Sequence, residues 1–206
     1  MLPVSGLARS IEGALRGVPL WLVYLAGFGP ALWLWYLGLT GGLGAEPIRA
    51  LERELGEIGL QILLATLAIS PIRRFLGLNL IRFRRALGLL AFYYILQHLG
   101  VWLVLDVGDP GQIWADIVKR PYITVGMLGF AAMLPLALTS SDRAVRRLGP
   151  VRWRKLQRLS YVVVIAGVTH YILLVKGWPP EPLLYAAVAV ALLVLRLVPR
   201  RSRMAA

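Results

Sequence analysis

The sequence predicts an all-helical integral membrane protein, a six-transmembrane-helix bundle with both termini cytoplasmic. Three observations carry this. Of 206 residues, 58% are hydrophobic and only 16% charged, and the mean hydropathy is +0.70. Soluble domains of this size carry about 25% charge. The apolar residues fall into runs near the ~20 residues that a helix needs to cross a bilayer core. And the charge, 23 Lys+Arg against 10 Asp+Glu, is divided very unequally between alternate connections.

Six spans follow in order, at about 18–39, 56–71, 86–105, 122–139, 156–175 and 183–198. The first begins too far from the amino terminus, and is too aromatic, for a cleaved signal peptide. Its Trp21, Tyr24, Trp33, Trp35 and Tyr36 suit the two membrane–water interfaces. The second is short: Glu57 and Gln61 trim its apolar core, and Ser70-Pro71 interrupts its end. Before it, Ala45-Glu46-Pro47 opens a short amphipathic helix, with Pro47 suited to the first helical position. The remaining spans are bounded by charged or Pro-containing segments. All connections are short, no repeat of 20–50 residues is visible, and residues 1–206 read as a single domain.

The connections on one side carry 18 basic and 2 acidic residues, the latter Glu12 and Asp142; those on the other carry 5 and 8. An excess of Lys and Arg marks the cytoplasmic side, and an even number of spans returns both ends to it. The net charge of +13 is therefore an orientation signal. Membrane lipid is the partner it implies, and nucleic acid is not. Cysteine is absent, which excludes disulfides, thiol nucleophiles and thiolate-held metal clusters. No glycine-rich nucleotide loop follows a strand.

The chain has two histidines, His98 in the third span and His170 in the fifth. Ionisable groups inside spans are costly and mark function. His98 lies 12 and His170 14 residues from the cytoplasmic start of its span, or ~18 and ~21 Å. The two imidazoles therefore reach a similar depth in the outer half of the membrane. Facing helices of a bundle commonly hold a cofactor, and His is a standard axial ligand of haem iron. Aromatic residues (Phe92, Tyr93, Tyr94, Trp102, Tyr161, Tyr171) and small ones (Gly88, Gly100, Ala166, Gly167) surround them in sequence. The alternatives are a histidine hydrogen-bonded to a neighbouring helix and a proton path. Met127 and Met133 of the fourth span suit packing. Arg84, Arg85, Arg152 and Arg154 on the basic side suit anionic cofactor groups or simply solvent.

Several stretches together resemble the MsrQ (YedZ) family of ferric-reductase-like membrane haem proteins. They are Thr40-Gly41 with Gly44-Ala45-Glu46-Pro47, 63–68 (LLATLA) with Ser70-Pro71 and Arg73-Arg74, 84–89 (RRALGL) leading to His98, and 153–161 (WRKLQRLSY) leading to His170-Tyr171. The resemblance covers nearly the whole chain. It implies a bacterial inner-membrane electron-transfer subunit that takes electrons from the quinone pool and passes them, through haem b, to a periplasmic molybdenum-containing methionine sulfoxide reductase. That partner then repairs oxidised methionines in envelope proteins, and catalysis lies with it. FMN is also associated with the family. His98 and His170 match family histidines as haem iron axial ligands. The family motif W-x-x-L-H-x-L reads here with Gln157 in place of its His, which implies one haem rather than two. Another b-type haem reductase, acting on ferric iron for example, and a non-redox permease or scaffold are the alternative functions.

Overall fold

A computed structural model describes residues 6–175, 177 and 179–197. They form nine α-helices and no strand: α1 Gly6–Gly17, α2 Leu20–Thr40, α3 Pro47–Phe75, α4 Arg84–Val101, α5 Pro110–Lys119, α6 Pro121–Leu138, α7 Asp142–Leu156, α8 Leu159–Leu174 and α9 Pro180–Leu197. A π-helical turn, Trp102–Val107, prolongs α4. Lys176, Arg200, Arg201, Arg203 and the end of the expected last span lie outside the described residues.

Four helical segments are long and apolar enough to cross a membrane: Leu20–Thr40, Pro47–Phe75, Ile81–Val107 and Pro121–Leu138. The pair α7 and α8, bent by 44° between them, passes the same test as a fifth. The helix α9 lies where the last span was expected, with Glu181 in its first turn and Arg196 in its last.

Two local expectations change. The amphipathic segment from Pro47 and the second span are one continuous 29-residue helix. Apolar spacing stays in one helical register through Leu51, Leu55, Leu60, Leu63 and Leu67, all buried, so no break is needed. Nor does Pro71 interrupt it, because the helix runs on to Phe75. The connections after the third and fourth spans are also helical, as α5 and α7. Asp109 caps α5: its Oδ2 accepts from Gln112 N at 2.7 Å, and Pro110 follows at the first position, where its missing N–H costs nothing. Ser141 caps α7 in the same way, accepting from Ala144 N at 3.2 Å.

The molecule is apolar inside and out. One core joins α3, α4, α6, α8 and α9 through Leu60, Leu63, Leu64, Leu67, Ala91, Met133, Val163, Val164, Val168 and Ala189. A second joins α2, α3 and α4 through Ala31, Leu34, Leu51, Leu55, Tyr94 and Val101. Outward faces carry Trp21, Leu32, Leu39, Leu128 and Val190, each more than half exposed. A helix apolar all round belongs in a membrane or a large core, and this chain is too small for the latter. Packing is closest within two pairs, α3 with α4 and α6 with α8, and sparse between the pairs.

Contacts tie the basic segments to one end. Arg82 donates to the Arg16 and Val18 carbonyls at 2.6 and 2.9 Å. Arg85 pairs with Asp142 at 2.6 Å, and Arg74 reaches the Leu195 carbonyl at 3.4 Å. At the opposite end Arg53 pairs with Glu181 at 3.2 Å.

Helix α2 is held by an unusual insertion. Pro30 lies inside it. One residue on, the fully buried Tyr94 hydroxyl enters the ladder: it accepts from Ala31 N at 3.1 Å and donates to the Gly27 carbonyl at 2.7 Å. Trp35 Nε1 adds a bond to Gln97 Oε1 at 2.7 Å. Tyr94→Phe leaves this rung broken, and a buried unsatisfied group costs about 1–3 kcal/mol. Thermal unfolding in detergent is expected to show that loss.

Candidate functional site

His98 projects from α4 toward α3. Its Nδ1 lies 2.9 Å from the Glu52 carbonyl oxygen. A carbonyl only accepts, so Nδ1 carries the proton and Nε2 keeps its lone pair. His170 repeats this from α8 toward α6, its Nδ1 donating to the Tyr122 carbonyl at 2.7 Å. An imidazole fixed through one nitrogen with the other free is the usual state of a metal-binding histidine.

Glycine makes both bonds possible. In a helix the carbonyl of residue i lies beside the side chain of residue i+4. Residue 56 follows Glu52 by four and residue 126 follows Tyr122 by four, and both are glycine. A Cβ at Gly56 would stand 2.9 Å from His98 Nδ1, and one at Gly126 would stand 2.8 Å from His170 Nδ1. Three residues further on, Gly59 and Gly129 admit the opposing helix. A Cβ there would meet Ile95 Cδ1 at 2.6 Å and Ala166 Cβ at 3.1 Å respectively. Small residues at such contacts let membrane helices approach closely.

The site is thus built twice. Glu52, Gly56 and Gly59 with His98 correspond to Tyr122, Gly126 and Gly129 with His170, displaced by 70 residues on the carbonyl-bearing helix and 72 at the histidine. The sequence reading found the histidines and missed the glycines. The paired G-x-x-G in the second and fourth spans was the available signal.

The two imidazoles meet with ring centroids 6.2 Å apart and planes at 79°. Metal–imidazole bonds of about 2 Å, with each centroid roughly 1 Å behind its nitrogen, put two axial rings ~6 Å apart. The separation fits one metal between them. Among the described residues no cluster of three His, Asp or Glu forms a metal site.

Both rings line a cavity of 660 Å³, within the usual range for cofactor sites. Its walls are largely apolar, including Leu60, Leu63, Ile95, Phe130, Met133 and Val163. Of the expected neighbours, Trp102, Gly167 and Tyr171 line it, and so do Met127 and Met133. Phe92 acts one layer back, stacked on Phe130 at 5.9 Å. Tyr94 serves α2 instead. The charged lining, Arg49, Glu52, Arg53, Glu57, Asp106, Arg120 and Glu181, was not anticipated. These residues lie at the end opposite the basic segments. Arg120 Nη1 donates to the Tyr122 hydroxyl at 3.1 Å, which pushes its guanidinium further above its ordinary value, and its Nε pairs with Asp116 at 3.1 Å. The helix α9 closes the side: the Tyr185 hydroxyl donates to Glu57 at 2.9 Å and accepts from Gln61 at 2.8 Å. Arg84, Arg85, Arg152 and Arg154 are not among the lining residues.

Fold and site together define a multi-helix membrane protein with a bis-imidazole centre in an apolar cavity. The ferric reductase like transmembrane component family matches residues 54–168, which contain His98 and both glycine pairs. The protein-methionine-sulfoxide reductase heme-binding subunit MsrQ of Brucella ovis is 50% identical over 179 residues, 86% of this chain and 81% of that protein. Its counterpart in Brucella melitensis biotype 2 is 49% identical over the same length. No solved structure matches. The chain belongs to the MsrQ family of the ferric-reductase-like transmembrane class.

Proposed function

We propose that this chain holds one b-type haem between His98 and His170 and serves as the membrane electron-transfer subunit of a methionine sulfoxide reductase system. The observation that carries the reading is the pair of imidazoles 6.2 Å apart, each with Nδ1 bonded to a carbonyl and Nε2 left for a metal. The cavity fits the group: 660 Å³ of space lies beside both rings, walled by Leu60, Leu63, Ile95, Phe130 and Val163. Apolar side chains exclude water, and the only described cations in the lining stand at one end, where carboxylates are best met. A haem held by His98 and His170 would supply one-electron transfer rather than oxygen chemistry.

The chain's own residues do the rest. The Glu52 and Tyr122 carbonyls fix tautomer and ring direction. The apolar wall keeps the dielectric low, and the mouth at Arg49, Arg53 and Arg120 faces the side away from the basic segments. That side is the periplasm of a bacterial inner membrane if the chain crosses six times with both ends cytoplasmic, as one domain over residues 1–206. A reporter fused after Ala206 is expected to read cytoplasmic. The quinone pool is the donor in this reading, with FMN a possible intermediate carrier. The acceptor is a periplasmic molybdopterin-containing reductase that performs the catalysis. The relatives' printed name, a heme-binding subunit of a protein-methionine-sulfoxide reductase, supports this choice. Ferric iron as the outer acceptor is the second reading, favoured by the family's description.

The test is a reduced-minus-oxidised spectrum of the purified protein with iron quantified. One b-type haem per chain is expected, since Gln157 offers no imidazole. A colourless preparation from haem-replete cells overturns the proposal.

A further inference from the structure

The end of the bundle remote from the cavity mouth holds a second unexplained feature. Arg196, in the last turn of α9, turns inward. Its Nη2 donates to the Leu67 carbonyl at 2.6 Å and reaches Ser70 Oγ at 3.4 Å, while Nη1 donates to the Tyr161 hydroxyl at 3.1 Å. The guanidinium carbon lies 5.4 Å from the Tyr161 ring centroid. Its Nε is buried without a hydrogen-bond partner among the described residues. Arg84, partly buried at the start of α4, lies within electrostatic range of both Arg196 and Tyr161.

The Arg196 guanidinium is therefore held between α3, α8 and α9 without an acid, and the like charge of Arg84, at the start of α4, is near enough to act on it. The chain has none to offer there. The basic side carries two acidic side chains, Glu12 and Asp142, and both are engaged elsewhere, with Arg16 at 3.0 Å and Arg85 at 2.6 Å. A half-buried guanidinium with a buried, unpartnered Nε, beside a second half-buried cation, is favoured by a counter-anion. Planar guanidiniums suit the tetrahedral oxygens of phosphate, which they meet through two donors at once. Basic pockets between membrane helices on the positive side take phospholipid headgroups.

We propose that Arg84, Arg196, Tyr161 and Ser70 form a phosphate-binding pocket at the basic end of the bundle. The shared chemistry is a phosphate ester, supplied by an anionic phospholipid headgroup or by a soluble phosphorylated cofactor. The pocket depends on the bundle alone and not on what the histidines hold.

The experiment measures phosphate retained by the full chain purified in mild detergent. Wild type is expected to retain one tightly held phosphate. Arg84→Gln and Arg196→Gln each lower retention at least ~tenfold, equivalent to about 1.4 kcal/mol, whereas Arg143→Gln, at an exposed position, does not. Phosphorus in the organic extract identifies a lipid, and phosphorus left in the aqueous phase after denaturation identifies a soluble ester. A measurement on wild type guards against misfolded variants. Delipidated protein in phosphatidylcholine vesicles is stabilised against heat by added phosphatidylglycerol in the first case and by inorganic phosphate in the second. Glutamine variants that retain as much phosphate as wild type, or no stabilisation by either addition, overturn the proposal.

Discussion

His98→Ala or His170→Ala is expected to leave a helical membrane protein with no haem absorbance. Each substitution would remove one of the two imidazoles proposed to hold the haem, and the sequence has no third histidine to replace it. Met127 and Met133 line the cavity, but Met133 is 5% exposed and packed within the α3–α9 core. The helices should survive, because each ring contributes one hydrogen bond and little core area. The readout is haem per polypeptide beside far-ultraviolet dichroism. A variant that retains full haem with an unchanged spectrum would place the cofactor elsewhere.

Gly56→Ala and Gly126→Ala form the second test, and they separate this site from a generic pair of buried histidines. The added methyl stands 2.9 or 2.8 Å from the imidazole Nδ1, closer than carbon and nitrogen tolerate. The ring must move, and the bond to the Glu52 or Tyr122 carbonyl is lost with it. Removing such an outer partner of a metal-bound histidine typically costs 10–100-fold in affinity. Haem occupancy in limiting haem should fall by about that factor, with both glycines giving similar losses. Gly88→Ala is the control, since nothing lies within 4 Å of its Cβ position.

Much of this was legible from the sequence, for identifiable reasons. Hydropathy and loop charge respond to the solvent, so an all-helical chain with several apolar helices could be read without contacts, although four or five of the six expected spans are long and apolar enough to cross a membrane. Helical rise converts residue number into distance along a helix, so the two histidines could be expected at one level, and their rings lie 6.2 Å apart. What failed needed a partner. A glycine in an apolar helix means nothing until the opposing side chain is known, and Gly56 and Gly126 acquire meaning only from the imidazoles above them. The continuity of α3 was missed because Glu57 and Gln61 trim the apolar run at its start, whereas the buried leucines on either side hold one register. Arg49 and Arg53 were assigned to a surface helix for the same reason, although both line the cavity mouth.

The duplicated clamp also bears on assembly. Each half is a tight hairpin-like couple, α3 with α4 and α6 with α8, and the couples touch only sparsely. A metal bound by one histidine from each, as proposed, would link the two couples at the cavity. Cofactor capture then behaves as the closing step of folding, because a ligand that binds only the assembled site adds its binding energy to the stability of that site. A group held by both histidines would therefore add a tie between the two couples to the one that the shared core of Leu60, Ala91, Met133, Val164 and Ala189 already makes.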